Sequence, residues 1–114
     1  MIIRESEVEQ FDFDGLKIQD YTATCDEKSS FAVISVYPRM RHKLSWSKRS
    51  DKYYYMIAGK IDFIVDDKAF VLSKGDLCVI KKGEKFKYQN TSKEIIKMIL
   101  IHTPSFQLDQ EVFE

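Results

Sequence analysis

Apolar and β-branched residues recur along the chain in short runs that are separated by turn residues. The runs cover residues 16–24, 31–37, 53–58, 61–65, 69–72, 77–80, 86–88 and 95–102. Pairs such as Asp14-Gly15, Lys74-Gly75 and Lys82-Gly83 stand between them, and these pairs are typical of turns. Short strands at this spacing predict an all-β sandwich or barrel, with no amphipathic helix of useful length.

Two stretches have a weaker pattern. Residues 39–52 are basic and polar, with Leu44 and Trp46 as their large apolar side chains, so we expect a short or irregular strand there. The tail, residues 105–114, mixes apolar and acidic side chains, and we expect it to pack on a neighbouring subunit or to fray. The chain therefore reads as a single domain, 1–114, with a core of about 16–104.

Composition narrows the possible partners. Eighteen basic residues balance eighteen acidic ones, which leaves no positive field to hold nucleic acid or an anionic membrane. The first residues lack the features of a signal peptide, and no apolar stretch is long enough to span a bilayer, so we expect a cytoplasmic protein. Cys25 and Cys78 show neither metal nor redox spacing, and Cys78 reads as a small buried hydrophobe.

The stretch 75–90 resembles a motif of the cupin superfamily. The second cupin motif is usually written G-x5-P-x-G-x2-H-x3-N, and Gly75, Gly83 and Asn90 match it. Lys81 and Phe86 stand in place of the proline and the histidine. The glycines occupy positions where tight turns between strands need a positive φ or a close backbone approach.

The first cupin motif, G-x5-H-x-H-x3-4-E-x6-G, is matched mainly at its end. The corresponding residues are Arg39, Ser45, Ser47, Lys52 and Gly59. The aromatic run 53–60 and the stretch 101–104 are also similar to cupin strands. The resemblance implies an all-β fold, a single cupin (jelly-roll) β-barrel.

The family's usual metal ligands are replaced. Ser45, Ser47, Lys52 and Phe86 stand at the four ligand positions; serine is a weak ligand, and a lysine opposes a cation. The alternation of Phe86 and Tyr88 with Lys87 and Gln89 predicts that the Phe86 ring points inward. We therefore expect a barrel that holds no metal and needs no cofactor.

The same positions predict the lining of a ligand cavity. On the last strand, Ile96, Met98, Leu100 and His102 share one face and Lys97 lies on the other, so the first face is predicted to be interior. The candidate ligand-binding residues are Ser45, Ser47, Lys52, Tyr54, Met56, Phe86, Tyr88 and His102.

Three of these residues are candidates for catalysis, and each also has an ordinary explanation. Lys52 could bind an anion or act as a base, although such a lysine more often keeps its ammonium in water at the mouth. His102 could act as an acid or base, or be a hydrogen-bonded structural residue. Tyr54 could be an acid, or a packing residue of the sheet. His42 and Trp46 are expected in a solvated loop or a subunit contact.

Three functional classes remain open. The first is a metal-free barrel that binds a small anionic or hydroxylated organic ligand. The second is a metal-independent isomerase or epimerase of a sugar or sugar nucleotide, with an acid–base set of His, Tyr and Lys. The third is a non-catalytic assembly domain. The family resemblance also implies a homodimer.

Overall fold

Two antiparallel sheets pack face to face in the computed structural model, which describes residues 1–22 and 28–114. The strands are β1 Gln10–Phe13, β2 Leu16–Asp20, β3 Ser30–Val36, β4 Arg41–Ser47, β5 Asp51–Ala58, β6 Lys60–Val65, β7 Lys68–Ser73, β8 Leu77–Ile80, β9 Phe86–Gln89, β10 Ile96–Thr103 and β11 Glu111–Phe113. Single 3-10 turns cover Glu5–Glu7 and Leu108–Gln110. One sheet has the order β1-β2-β3-β10-β5-β8 and the other β11-β4-β9-β6-β7.

The predicted runs correspond to strands of this all-β fold. The run 16–24 forms β2 only as far as Asp20, and its last two residues lie outside the described residues, as does Cys25. None of the helices in the described ranges is long and apolar enough to cross a membrane.

Alternating side chains of the central strands fill the space between the sheets. On β10, Ile96, Met98, Leu100 and His102 are all buried, as their shared face predicted. Phe86 on β9 is completely buried, which confirms that its ring points inward. The pleat thus places one face of each strand in a common core.

Gly59 makes the tight connection between β5 and β6. Its φ is 86°, and a Cβ atom there would lie 2.9 Å from Cγ1 of Ile96. Both observations favour glycine, which has no side chain to strain the turn or to clash with β10. The motif glycine therefore has a structural role.

Asn90 is a second motif residue with a structural role. Its side-chain amide donates hydrogen bonds to the carbonyl oxygens of Val36 and Glu94, at 2.9 and 2.7 Å. Its Oδ1 accepts a bond from the backbone N–H of Ser92 at 2.9 Å. The buried asparagine thus joins the end of β3 to the turn before β10.

The ends of the chain add strands that the sequence pattern did not indicate. β11 pairs with β4 of the same chain, with Val112 opposite Trp46, so the expectation that the tail frays is wrong. Its packing on a neighbouring subunit stays a prediction. Phe113 also meets Phe13 of β1, with ring centroids 5.5 Å apart. β4 is irregular, as expected, because its register against β9 shifts between His42 and Ser45.

Candidate functional site

A cavity of about 290 Å³ lies inside the barrel, next to the strands added by the chain ends. Much of its wall is apolar and comes from β1, β2 and the segment after β10; this part includes Phe11, Phe13, Leu16, Ile18, Phe106, Leu108 and Phe113. Its polar side chains include His42, Lys52, Tyr54, Tyr88, His102 and Glu111. Of the eight predicted lining residues, the structure therefore brings Lys52, Tyr54, Tyr88 and His102 to the cavity.

Lys52 and Glu111 form a buried ion pair at this cavity. Nζ of Lys52 donates a hydrogen bond to Oε1 of Glu111, and the two side chains are only 5% and 3% exposed. Burial lowers the pKa of Lys52, and the neighbouring Glu111 carboxylate opposes that shift. The expectation that the ammonium lies in water at the mouth is therefore wrong.

His42 belongs to the cavity, which corrects its expected place in a solvated loop or subunit contact. It lies on β4 and packs against Phe86 and Tyr88, with ring centroids 5.0 Å away in each case. Its Nδ1 is 2.7 Å from the carbonyl oxygen of Lys43. A carbonyl only accepts, so Nδ1 carries the proton of the neutral ring and Nε2 carries a lone pair.

Burial keeps His42 neutral. It lowers the pKa of the ring to about 4, and the charge of Lys52 acts in the same direction. At neutral pH the ring is therefore an uncharged base. Trp46, the other residue expected in a loop, lies on the same strand and pairs with β11.

Tyr54 and Tyr88 supply phenol groups to an aromatic cluster. Their ring centroids are 5.7 Å apart, and both pack against Phe63. Burial raises the pKa of both hydroxyl groups above the ordinary tyrosine value. At neutral pH each phenol is therefore a potential hydrogen-bond donor or proton donor, and neither is a base.

His102 lies on β10 opposite Lys52 and packs against Phe106, with ring centroids 5.2 Å apart. Burial and the charge of Lys52 lower its pKa to about 3, so this ring is also neutral at neutral pH.

Several buried polar atoms of the cavity residues have no partner in the described part of the chain. They are Tyr88 Oη, His102 Nε2 and Glu111 Oε2. An unpaired polar atom away from water is costly, and most buried polar atoms in proteins have a partner. A bound molecule with hydroxyl or amide groups would satisfy these atoms.

The other four predicted lining residues are buried outside the cavity wall. Met56 and Phe86 are completely buried in the core. Ser45 is buried on β4. Ser47 Oγ accepts backbone hydrogen bonds from Arg49 and Ser50, at 3.2 and 2.8 Å, and so stabilises the turn after β4.

These positions do not fit the metal centre that the fold family implies. The Lys52 ammonium is paired with Glu111, Phe86 offers no donor atom, and Ser47 Oγ is bonded within its turn. Across residues 1–22 and 28–114, no three histidine, cysteine, aspartate or glutamate side chains converge as a metal site.

Comparison with known proteins identifies the frame around this cavity. The cupin domain family model matches residues 33–102. Among solved structures, the Streptomyces nucleoside dehydratase Pac13 has a TM-score of 0.88 and 20% sequence identity, covering 100% of this chain and 90% of Pac13. KdgF from Halomonas sp. has a TM-score of 0.82 and 14% identity, covering 96% of both chains.

Three Pac13 variants are solved with uridine; one replaces a histidine with glutamine, and two replace a tyrosine with phenylalanine. At such identities these likenesses establish the fold. No curated protein has significant sequence similarity to this chain.

Proposed function

Because this chain belongs to the cupin family, whose barrel frames the cavity, we propose that it binds a small, uncharged, hydroxylated organic molecule of the nucleoside class. The observation that carries the proposal is the set of buried, unpartnered polar atoms on Tyr88, His102 and Glu111. A polar ligand would supply the hydrogen bonds that these atoms lack.

Size and wall chemistry support the same class. A cavity of about 290 Å³ lies at the lower end of the range for small-molecule sites. The aromatic rings of Tyr54 and Tyr88 suit a flat heterocycle, and the polar atoms suit a sugar. Pac13 is solved with uridine after changes to a histidine and to tyrosines, and this cavity is also lined by a histidine, His42, and two tyrosines, Tyr54 and Tyr88.

Isothermal titration calorimetry with uridine, other nucleosides and free monosaccharides tests the proposal. Tyr88→Phe removes one unpartnered hydroxyl group and should weaken nucleoside binding by about 3- to 10-fold. Tyr55→Phe is the matched control, since Tyr55 lies on the face of β5 opposite to that of the cavity residue Tyr54 and is 42% exposed. Absence of binding by every uncharged probe, or equal effects of the two variants, would contradict the proposal.

A second candidate function is acid–base catalysis on such a ligand without a metal. The observation that favours it is the neutral His42, which lines the same cavity as Tyr54 and Tyr88. A base and a proton donor are the pair that isomerisation or elimination of water from a sugar requires. NMR in D₂O can follow proton exchange at the carbon atoms of the ligand and so separates the two functions. Exchange that His42→Gln abolishes, and that free glutamate or histidine in solution does not reproduce, indicates an enzyme. Binding without exchange indicates a binding protein.

We further propose that the protein forms a homodimer through the outer face of the six-stranded sheet. Leu77 and Val79 on β8 are 55% and 40% exposed and lie opposite Tyr55 and Tyr53 of β5. Apolar side chains grouped on one sheet face favour a second copy as cover. Sedimentation equilibrium tests this: a monomer at all concentrations would contradict it, and Leu77→Lys should dissociate a dimer.

A further inference from the structure

We infer that Glu111 sets the charge specificity of the cavity: its carboxylate occupies the ammonium of Lys52 and thereby reserves the site for uncharged ligands and excludes anions. The inference rests on the proposed function and adds to it the residue that selects the ligand class. It also explains how a barrel with a lysine at its centre can favour hydroxyl groups over carboxylates or phosphates.

The charges around the cavity support this selection. Among the cavity-lining residues that the structure describes, Lys52 on β5 is the one cationic side chain, and Glu111 on β11 and Asp20 on β2 are acidic. Both histidines are uncharged at neutral pH. An anionic ligand would therefore find the ammonium already paired and would lie beside the carboxylate of Glu111, where like charges repel strongly in a buried site.

The two oxygens of Glu111 have different roles. Oε1 accepts the hydrogen bond from Lys52, whereas Oε2 is buried without a partner in the described residues. A carboxylate oxygen only accepts hydrogen bonds, so Oε2 fits a ligand hydroxyl and rejects a ligand carboxylate. The same side chain thus accepts one ligand class and disfavours the other.

The backbone of the C-terminal segment fixes the position of this carboxylate. Lys48 N–H donates to the carbonyl oxygen of Gln110, and Glu114 N–H donates to that of Leu44, both at 2.8 Å. These bonds hold the residues on either side of Glu111 against β4. Specificity is therefore assigned to a three-residue edge strand that lies outside both cupin motifs.

Two nearly isosteric probes test the inference: uridine 5′-carboxamide, which is neutral, and uridine 5′-carboxylate, which is an anion. Calorimetry at neutral pH compares both probes, and uridine itself, on the wild type and on Glu111→Gln. We expect the wild type to bind the carboxamide at least tenfold more tightly than the carboxylate. Glu111→Gln should reverse the preference, because it releases the Lys52 ammonium for the anion. Glu111→Asp retains the charge and should retain the preference for the carboxamide.

The outcomes separate the inference from the proposed function. If the wild type binds uridine and Glu111→Gln keeps the wild-type preference, charge selection by Glu111 is wrong and the proposed function stands. If the wild type binds uridine and binds the two 5′ derivatives with equal affinity, charge selection by Glu111 is likewise wrong and the proposed function stands. If the wild type binds none of the neutral probes, both the proposed function and the inference are wrong.

A second measurement covers a variant that is too unstable for calorimetry. Glu111→Ala leaves space beside Lys52 that added formate can fill, so formate should raise the melting temperature of this variant and leave that of the wild type unchanged. Chloride at the same ionic strength is the control. No difference between formate and chloride would overturn the inference.

Discussion

Acidification from about pH 8 to about pH 5 should destabilise the fold through His42 and His102, which are the two histidines of the chain. An unfolded histidine has a pKa of about 6.5. In the folded protein, burial lowers the pKa to about 4 for His42 and to about 3 for His102. The unfolded state therefore binds the proton first as the pH falls, and the free energy of unfolding decreases below about pH 6.5.

The size of the effect follows from these pKa values. Each pKa unit corresponds to about 1.4 kcal/mol. A pH of about 5 lies about 1.5 units below the pKa of an unfolded histidine and is still above the folded pKa values of both histidines. Each histidine should therefore remove about 2 kcal/mol of stability by about pH 5, and the two together about 4 kcal/mol. This is a large part of the 5–15 kcal/mol that is typical of native domains.

Urea denaturation at a series of pH values between these limits measures the effect. Glutamine cannot be protonated, so His42→Gln and His102→Gln should each lose about half of the pH dependence, and the double variant should lose most of it. The ordinary pKa values of carboxyl side chains, about 4, lie below this range. A double variant that loses as much stability as the wild type would refute the assignment to the histidines.

The remaining predictions concern residues of the cupin motifs. Gly59→Ala should destabilise the fold by about 2–4 kcal/mol through strain and contact with Ile96. Gly83→Ala, with the same φ and open space around its Cβ position, should cost about 1–2 kcal/mol; equal losses in urea denaturation would contradict the contact. Asn90→Ala removes the side-chain amide that donates a hydrogen bond to the buried carbonyl oxygen of Val36, and should lower the free energy of unfolding by about 2–4 kcal/mol. A loss below about 1 kcal/mol would show that the asparagine is dispensable for the fold.

The fold was largely predictable because its central strands β3, β9 and β10 alternate between buried and less buried residues. β10 shows why: Ile96, Met98 and Leu100 share one face and Lys97 lies on the other, so period and charge indicate the interior together. The glycines of the cupin motifs indicated the turns between the strands. β1 was missed because its two phenylalanines, Phe11 and Phe13, make too short a run to stand out from a polar N-terminal stretch.

The site was less predictable, because it depends on pairings between distant residues. Glu111 lies 59 residues from Lys52 in sequence, and nothing near either residue indicates the other. The register shift in β4 brings His42 to the cavity, whereas regular alternation offered no reason to place it there. Ser47 was expected to line the cavity because of its motif position, but its hydroxyl accepts backbone bonds in a turn.

The pairing of β4 with β11 places an intrinsic fluorescence probe next to the strand that carries Glu111. The chain has a single tryptophan, Trp46, which lies opposite Val112 in that pairing, next to Ser45, which lies opposite Phe113. The ammonium of Lys85 lies 4.8 Å from the indole ring centre. Because indole emission depends on the surroundings of the ring, intrinsic tryptophan fluorescence would report whether β11, the strand that carries Glu111, is paired with β4. It can be recorded in the same sample in which ligand binding is measured.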